Sequence, residues 1–343
     1  MRIHQNTLYV LSQKSYIHRE NLTLQVQVER ETKLAVPIHH LDSLAVFGNV
    51  MVSPGAMELC AEKGVAVTFL SQNGRLFARV DAPQSGNVLL RREQFRKADR
   101  EEEKVRLARF FIAGKLQNSR SVLLRGARET ASVDDRAELE GAAAAIAACL
   151  TRLETLETLD EVRGQEGEGA RRYFGAFNRL LKRQREAFQI RDRNRRPPLD
   201  PTNALLSFSY ALLLHDCISA LTAAGLDSSV GFLHADRPGR PALALDLMEE
   251  FRPLLADRLA LTLINRQEVR PGGFLKRDGG AVEMDDLTRR AVVTAYQARK
   301  QEEVVHPFLE QKATMGLMPH LQAKLLARYL RGDIAAYPVC VLK

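Results

Sequence analysis

The stretch DAPQSGNVLLRREQFRKADREEEKVRLARFF, residues 81–111, divides the sequence into two patterns. Its first seven residues, 81–87, gather Pro, Ser and Gly and read as a linker. From residue 88 onward strong helix formers follow one another, with apolar residues recurring about every three or four positions. Upstream the period is two. LTLQVQVE (22–29) alternates as a half-buried strand does. TLYVLS (7–12), KLAVPI (33–38), SLAVFG (43–48), VAVTFL (65–70) and RLFARV (75–80) are short and rich in β-branched or aromatic residues. One helix is expected among them, PGAMELCAEKG (54–64), with Pro54 suited to a first turn and Gly64 to a C-terminal cap. The predicted fold class is therefore α+β. A small N-terminal β-sheet domain (1–80) and the linker (81–87) precede a larger all-α C-terminal domain (88–343).

A chain of 343 residues, 45% of them hydrophobic, can build two cores. Its four cysteines, Cys60, Cys149, Cys217 and Cys340, are scattered without a CxxC pair, which argues against a disulfide framework and a structural zinc site. MRIHQNTLYV lacks the apolar core of a signal peptide, and no uninterrupted apolar run reaches the roughly 18 residues of a membrane span. The expectation is a cytoplasmic protein with reduced thiols and no membrane partner. The net charge of +8 favours a polyanionic partner. Its placement is uneven. Residues 1–80 hold eight Lys/Arg against six Asp/Glu, whereas residues 171–200 hold ten against three.

Three stretches could carry chemistry. In RGQEGEGARRYFGAF (163–177), Gly164, Gly167 and Gly169 interrupt a helical pattern, each costing about 1 kcal/mol against alanine inside a helix. If the stretch is helical, Glu166, Ala170 and Tyr173 share a face beside a place of close approach; the alternative is a loop with Glu166 solvated. In SSVGFLHADRPGRPALALDLMEEFRP (228–253), His234 ends an apolar run, a turn with Arg237 and Arg240 follows, and Asp246, Glu249 and Glu250 lie at i, i+3 and i+4. Imidazole with carboxylates is a ligand set for a divalent ion; a structural histidine and a solvated acidic face are the plainer reading. The run RRYFGAFNRLLKRQREAFQIRDRNRRPPLD (171–200) interleaves arginines with aromatic residues and suits phosphate contact, or else is a charged helix surface.

Together a carboxylate near glycines, a histidine with acids and a basic surface match metal-dependent phosphodiester chemistry. The P-loop, GxSxG, HExxH and GxGxxG motifs are absent, so the nucleotide-hydrolysing, serine-esterase, zincin and dinucleotide-binding classes lose support.

The same residues carry a resemblance. GQEGEGARRYF, RRPPLDPTNALLSFSYALL (195–213), GFLH with DLMEEFRP, and SPGAMELCAEKGVAVTFLSQNGR near the N-terminus resemble the CRISPR-associated integrase-endonuclease of spacer acquisition, the "Cas one" family. SGNVLLRREQFR looks most like its subtype I-C branch. The resemblance runs nearly end to end. It implies a small β-domain that mediates homodimerisation and a helical catalytic domain. It implies Glu166, His234 and Glu249 as ligands of one Mn²⁺ or Mg²⁺ ion, with Asp246 supporting them and Glu250 left as ordinary surface. Many members carry Asp at the third ligand position, where this chain has the longer Glu249. Glu140, in ELEGAAAA, lacks the surrounding motif and is set aside. Arg193, Arg195, Arg196, Arg237 and Arg240 are candidates for DNA contact. The implied activity joins 3′-hydroxyls of short DNA fragments to a CRISPR repeat by transesterification. The implied partners are a "Cas two" dimer in a heterohexamer and a "Cas four" nuclease. The competing readings are a stand-alone metal nuclease acting on branched DNA and a non-catalytic DNA-binding scaffold.

Overall fold

A computed structural model describes residues 6–80, 87–194 and 197–342. Of the expected linker, only Asn87 falls within the described residues. The chain divides into two compact units, Met1–Gly86 and Asn87–Lys343.

The first unit holds β1 (Thr7–Val10), β2 (Ser15–Glu20), β3 (Thr23–Val28), β4 (Glu31–Pro37), β5 (Ser43–Phe47), β6 (Val50–Val52), α1 (Pro54–Lys63), β7 (Ala66–Leu70) and β8 (Leu76–Val80). They form two four-stranded sheets, ordered β1-β5-β7-β8 and β4-β3-β2-β6. β5 pairs in parallel with both β1 and β7, and all five of its residues are buried. That matches its unbroken apolar reading, since a central parallel strand is covered on both faces. Ile17 and Leu24 from one sheet, Leu44 and Val67 from the other, and Leu59 of α1 share one apolar cluster. Ser53 caps α1 by accepting from the Ala56 N–H, and Gly64 closes it at φ 70° in the left-handed region. Two strands went unseen in the sequence. β2 reads SYIHRE and owes its place to antiparallel pairing with β3, while β6 is only three residues long.

The second unit contains α2 (Val88–Ala98), α3 (Glu101–Glu129), α4 (Val133–Leu153), α5 (Leu159–Phe177), α6 (Pro201–Ala223), α7 (Ala242–Met248), α8 (Arg258–Asn265), α9 (Asp286–Lys300) and α10 (Met318–Arg331). α3, α4 and α5 pack on one another. α5 starts with a capping box in which Thr158 and Glu161 satisfy each other's backbone N–H groups. Asp200 caps α6 by accepting from the Asn203 N–H at 2.7 Å, with Pro201 as its first helical residue. By length and composition α6 could cross a membrane, but most of it is buried within the unit, together with Asn203, Ser209, His215 and Asp216.

The expectation of an all-α second domain is corrected. Two small antiparallel pairs interrupt the helices: β9 (Phe274–Lys276) with β10 (Val282–Met284), and β11 (Glu303–Val305) with β12 (Lys312–Thr314). Each strand has three residues, too few for a period to show. Gly279 and Gly280 supply the left-handed backbone that turns the first pair.

A second departure lies after α7. Residues Arg252–Asp257 wind as a π-helix, wider than an α-helix, before α8 begins. Pro253 within it lacks an N–H, so regular α hydrogen bonding fails there. Upstream of it α7 ends at Met248, so Glu249 and Glu250 lie in the following turn and do not share one helical face with Asp246.

Candidate metal centre

α5 brings the first carboxylate. Its glycine-containing segment is helical, and Val162, Gly169, Tyr173, Ala176 and Phe177 form its buried face. A Cβ at Gly169 would collide with the Leu116 side chain of α3, so this glycine permits close helix contact. Gly164 and Gly167 face open space instead. Glu166 stands at the boundary, its side chain 28% exposed.

The loop before α7 and the turn after it bring the other groups. Asp246 is fully buried and acts as a cradle. Its Oδ2 accepts from the backbone N–H groups of Phe232 (2.6 Å) and Leu233 (3.0 Å). Its Oδ1 accepts from the His234 N–H (2.9 Å) and lies 2.7 Å from His234 Nδ1. A carboxylate can only accept, so Nδ1 carries the ring proton and Nε2 is left with a lone pair, the tautomer a metal-binding histidine needs. Gly231 makes this cradle possible. A Cβ there would sit 2.9 Å from Asp246 Oδ2 and 2.9 Å from the Ala242 carbonyl carbon. Arg163 of α5 fastens the same loop by donating to the Leu233 carbonyl from Nε (3.1 Å) and NH2 (2.8 Å).

Glu249 completes the group. Its Oε1 lies 3.8 Å from His234 Nε2 and 3.0 Å from Arg252 NH1. Its Oε2 lies 2.8 Å from Lys115 Nζ, yet this buried atom has no hydrogen-bond partner of good geometry. Lys115, reaching in from α3, also contacts Glu166. Burial alone would raise the Glu249 pKa, but the charges of Arg252 and Lys115 outweigh it and hold the carboxyl down at about 2. It is ionised at any physiological pH.

Among the described residues no three His, Cys, Asp or Glu side chains already converge as a cage for an ion. The ammonium of Lys115 contacts both Glu166 and Glu249 and lies between them. Two carboxylates flank the Lys115 ammonium, the His234 imidazole lies beside Glu249, and one buried carboxylate oxygen lacks a directed donor. That donor set fits a hard divalent ion of the Mg²⁺ or Mn²⁺ kind.

The third acid departs from expectation. Glu250 is not surface but fully buried. It accepts from Tyr337 Oη (2.5 Å), the Cys340 N–H (2.7 Å) and Gln322 Nε2 (3.1 Å), and burial raises its pKa to about 7. The C-terminal segment folds back over α3 to reach it, and Gly114 leaves the room: a Cβ there would meet Glu250 Cγ at 2.8 Å. Glu140 is exposed on α4.

The basic candidates fare unequally. Arg195 and Arg196 lie outside the described residues. Arg193 NH1 donates to Asn203 Oδ1 (2.5 Å) and to the Asn194 carbonyl (2.7 Å). Its guanidinium lies over the Tyr210 ring at 5.3 Å, and that of Arg252 lies over the same ring at 5.1 Å. The loop of Arg193 is thus tied to the side chain that neutralises Glu249. Arg237 is exposed and Arg240 half-buried, both on the loop after His234. Much of the basic run upstream is internally paired. Arg171 and Arg172 engage Glu168, Arg179 engages Glu138 and Asp135, Lys182 engages Glu129, and Arg185 engages Asp135.

Lys115 and Arg252 were missed from the sequence. A single lysine inside the apolar run FFIAGKL was the available signal for the first. Arg252 had none beyond its place three residues after Glu249.

A family model described as "CRISPR associated protein Cas1" matches residues 8–298. The chain belongs to the Cas1 family. It is 49% identical over 337 residues to "CRISPR-associated endonuclease Cas1 1" of Moorella thermoacetica, covering 98% of each chain. It is 46% identical over 338 residues to a Cas1 endonuclease of Chlorobaculum tepidum, again covering 98% of each. A Cas4 exonuclease/Cas1 endonuclease fusion of Geobacter sulfurreducens is 36% identical over 334 residues, which cover 96% of this chain and 59% of the fusion. Among solved structures, a Cas1 protein of Thermotoga maritima superposes with a TM-score of 0.81 at 22% identity, covering 95% of this chain and 97% of that one. A chain of a Cas6-RT-Cas1–Cas2 complex superposes with a TM-score of 0.84 at 23% identity, covering all of this chain and 37% of that one. These two likenesses establish the Cas1 fold.

Proposed function

We propose that this Cas1 chain is a divalent-metal-dependent DNA integrase with endonuclease activity. It inserts short DNA fragments into a CRISPR array by transesterification from their 3′-hydroxyls. The observation that carries the reading is that Glu166 and Glu249 share one buried ammonium while His234 Nε2, its ring held by Asp246, lies 3.8 Å from Glu249. Glu166, His234 Nε2 and Glu249 would hold one Mn²⁺ or Mg²⁺ ion, which polarises the phosphate and stabilises the leaving oxygen when bound. The chain's own residues do the rest. Asp246 keeps Nδ1 protonated so that Nε2 faces the ligands. Arg252 keeps Glu249 ionised in a dry setting. Glu166 closes the group on its open side. The face that Gly164 and Gly167 leave clear gives a phosphate backbone room to approach. Arg237 and Arg240, on the loop after His234, hold that backbone, with Arg193, Arg195 and Arg196 contributing from the Pro-rich loop.

In this reading residues 1–80 mediate homodimerisation, and two dimers flank a Cas2 dimer. A Cas4 nuclease supplies fragments, which accords with the fusion of Cas4 to Cas1 in a relative. The branch is subtype I-C and the setting is the cytoplasm. The test is incubation with 3′-hydroxyl fragments, a repeat-containing array and the small partner. Joined product that disappears in Glu166→Ala supports the reading. Cleavage without any joined product overturns the integrase assignment in favour of a stand-alone nuclease.

A further inference from the structure

Lys115 is the one charged residue at its level of the buried face of α3, flanked by Phe111, Ile112 and Leu116. Sequestering an ammonium among apolar side chains is unfavourable unless carboxylates compensate it. Here two do. Lys115 Nζ contacts Glu166, lies 2.8 Å from Glu249 Oε2, and among the described residues makes no other hydrogen bond or ion pair. The dependence runs both ways. Among the described residues Lys115 is the one ion-pair partner of Glu166.

The charges do not balance. Asp246, Glu166 and Glu249 are three carboxylates, and Lys115 and Arg252 are two cations. The two cations are also not equivalent. Arg252 sits on Glu249 Oε1, whereas Lys115 sits on Oε2 and on Glu166, between the two side chains. A divalent ion held by those carboxylates would compete with the ammonium for the space between them, because two positive charges repel at such close range. Arg252 and the Asp246–His234 pair need not move for that exchange.

We propose that Lys115 is an internal exchange cation. It holds Glu166 and Glu249 in position in the metal-free chain and yields its place between them when a divalent ion binds. Lys115 is thus a positioning residue, and this inference rests on Glu166, His234 and Glu249 being the ion's ligands.

The test is calorimetric Mn²⁺ titration of the full chain, with Lys115→Met and His234→Ala beside the wild type, and thermal melting of each with and without Mn²⁺. Removing the competitor should lower the Mn²⁺ dissociation constant of Lys115→Met at least threefold. Its metal-free melting temperature should fall, and Mn²⁺ should raise that temperature more than in the wild type. A purely structural lysine predicts the opposite sign, so unchanged or weaker Mn²⁺ binding in Lys115→Met overturns the proposal. Should this variant not fold, amine acylation of the wild type followed by mass spectrometry decides. Lys115 should label faster once Mn²⁺ is present, with exposed Lys33 and Lys312 as references, and an unchanged or slower rate overturns the proposal. His234→Ala separates the two levels. If it binds Mn²⁺ as well as the wild type, the ligand assignment itself is wrong and the exchange falls with it. If it loses binding while Lys115→Met is unaltered, the exchange alone fails.

Discussion

Among the described residues the second unit buries two lysine–carboxylate pairs, and they are built differently. Lys300 of α9 meets Asp216 of α6 at 3.0 Å, and the Tyr296 hydroxyl donates to the other Asp216 oxygen at 2.8 Å. Both side chains are more than nine-tenths buried. There one ammonium faces one carboxylate, and burial closes the pair off from solvent. At Lys115 two carboxylates share one ammonium, one of them reaches solvent, and an imidazole lone pair faces the second. Burial of charge is common to both places. What separates a structural ion pair from a candidate active site here is the surplus of acceptors and the open side.

The comparison breaks most visibly if Glu166 is removed. Glu166→Ala should reduce strand transfer by more than the ~100-fold that losing a supporting partner costs, with little change in melting temperature. A gel-based integration assay and a melting curve measure both. The closed pair should behave in the opposite manner. Lys300→Met leaves Asp216 buried and uncompensated and should cost about 3–5 kcal/mol in denaturant unfolding, while Mn²⁺ affinity is unaltered. Asp246→Asn keeps the size of the cradle but sets an amide against backbone N–H groups and the wrong face of His234. It should weaken Mn²⁺ binding or strand transfer by about 10- to 100-fold.

The closed pair also has a pH signature. His215, beside Asp216, has its pKa pushed down to about 4 by burial. The unfolded histidine has the higher value, about 6.5. The stability it contributes is therefore complete above pH 6.5 and declines as pH falls towards 4. Melting curves across that range should flatten in His215→Gln; an unaltered slope would mean the acid sensitivity lies elsewhere. The smallest effect is expected at the exposed rim. Arg237→Ala should weaken DNA binding uniformly across sequences and reduce the salt slope by about one, read from affinities at several salt concentrations.

How much of this was legible in the sequence differs from residue to residue. Glu166, His234, Asp246 and Glu249 stood in local motifs, and pairwise contacts link them: Asp246 with His234, His234 with Glu249, and Glu249 with Glu166 through Lys115. Lys115 and Arg252 did not stand out, because what defines them is a partner 51 residues away in one case and a fold-imposed π-helix in the other. Glu250 was misread for the same reason: its partners, Gln322, Tyr337 and Cys340, lie far down the chain. The ion pairs of the basic run were not legible because a count over residues 171–200 cannot see Glu129, Asp135 and Glu138 on neighbouring elements. In the fold, the period-two strands and the long amphipathic helices were readable. β2 and the three-residue strands were not, since they exist through pairing rather than through a pattern of their own.

The central claim is that Glu166, His234 and Glu249 hold one divalent ion. Crystals of this chain grown with Mn²⁺ and measured at the manganese absorption edge test it most directly. The account predicts an anomalous peak bonded to both carboxylates and to His234 Nε2, with Lys115 no longer between them. A peak bound elsewhere, or Lys115 still bridging Glu166 and Glu249 in crystals saturated with Mn²⁺, would contradict it.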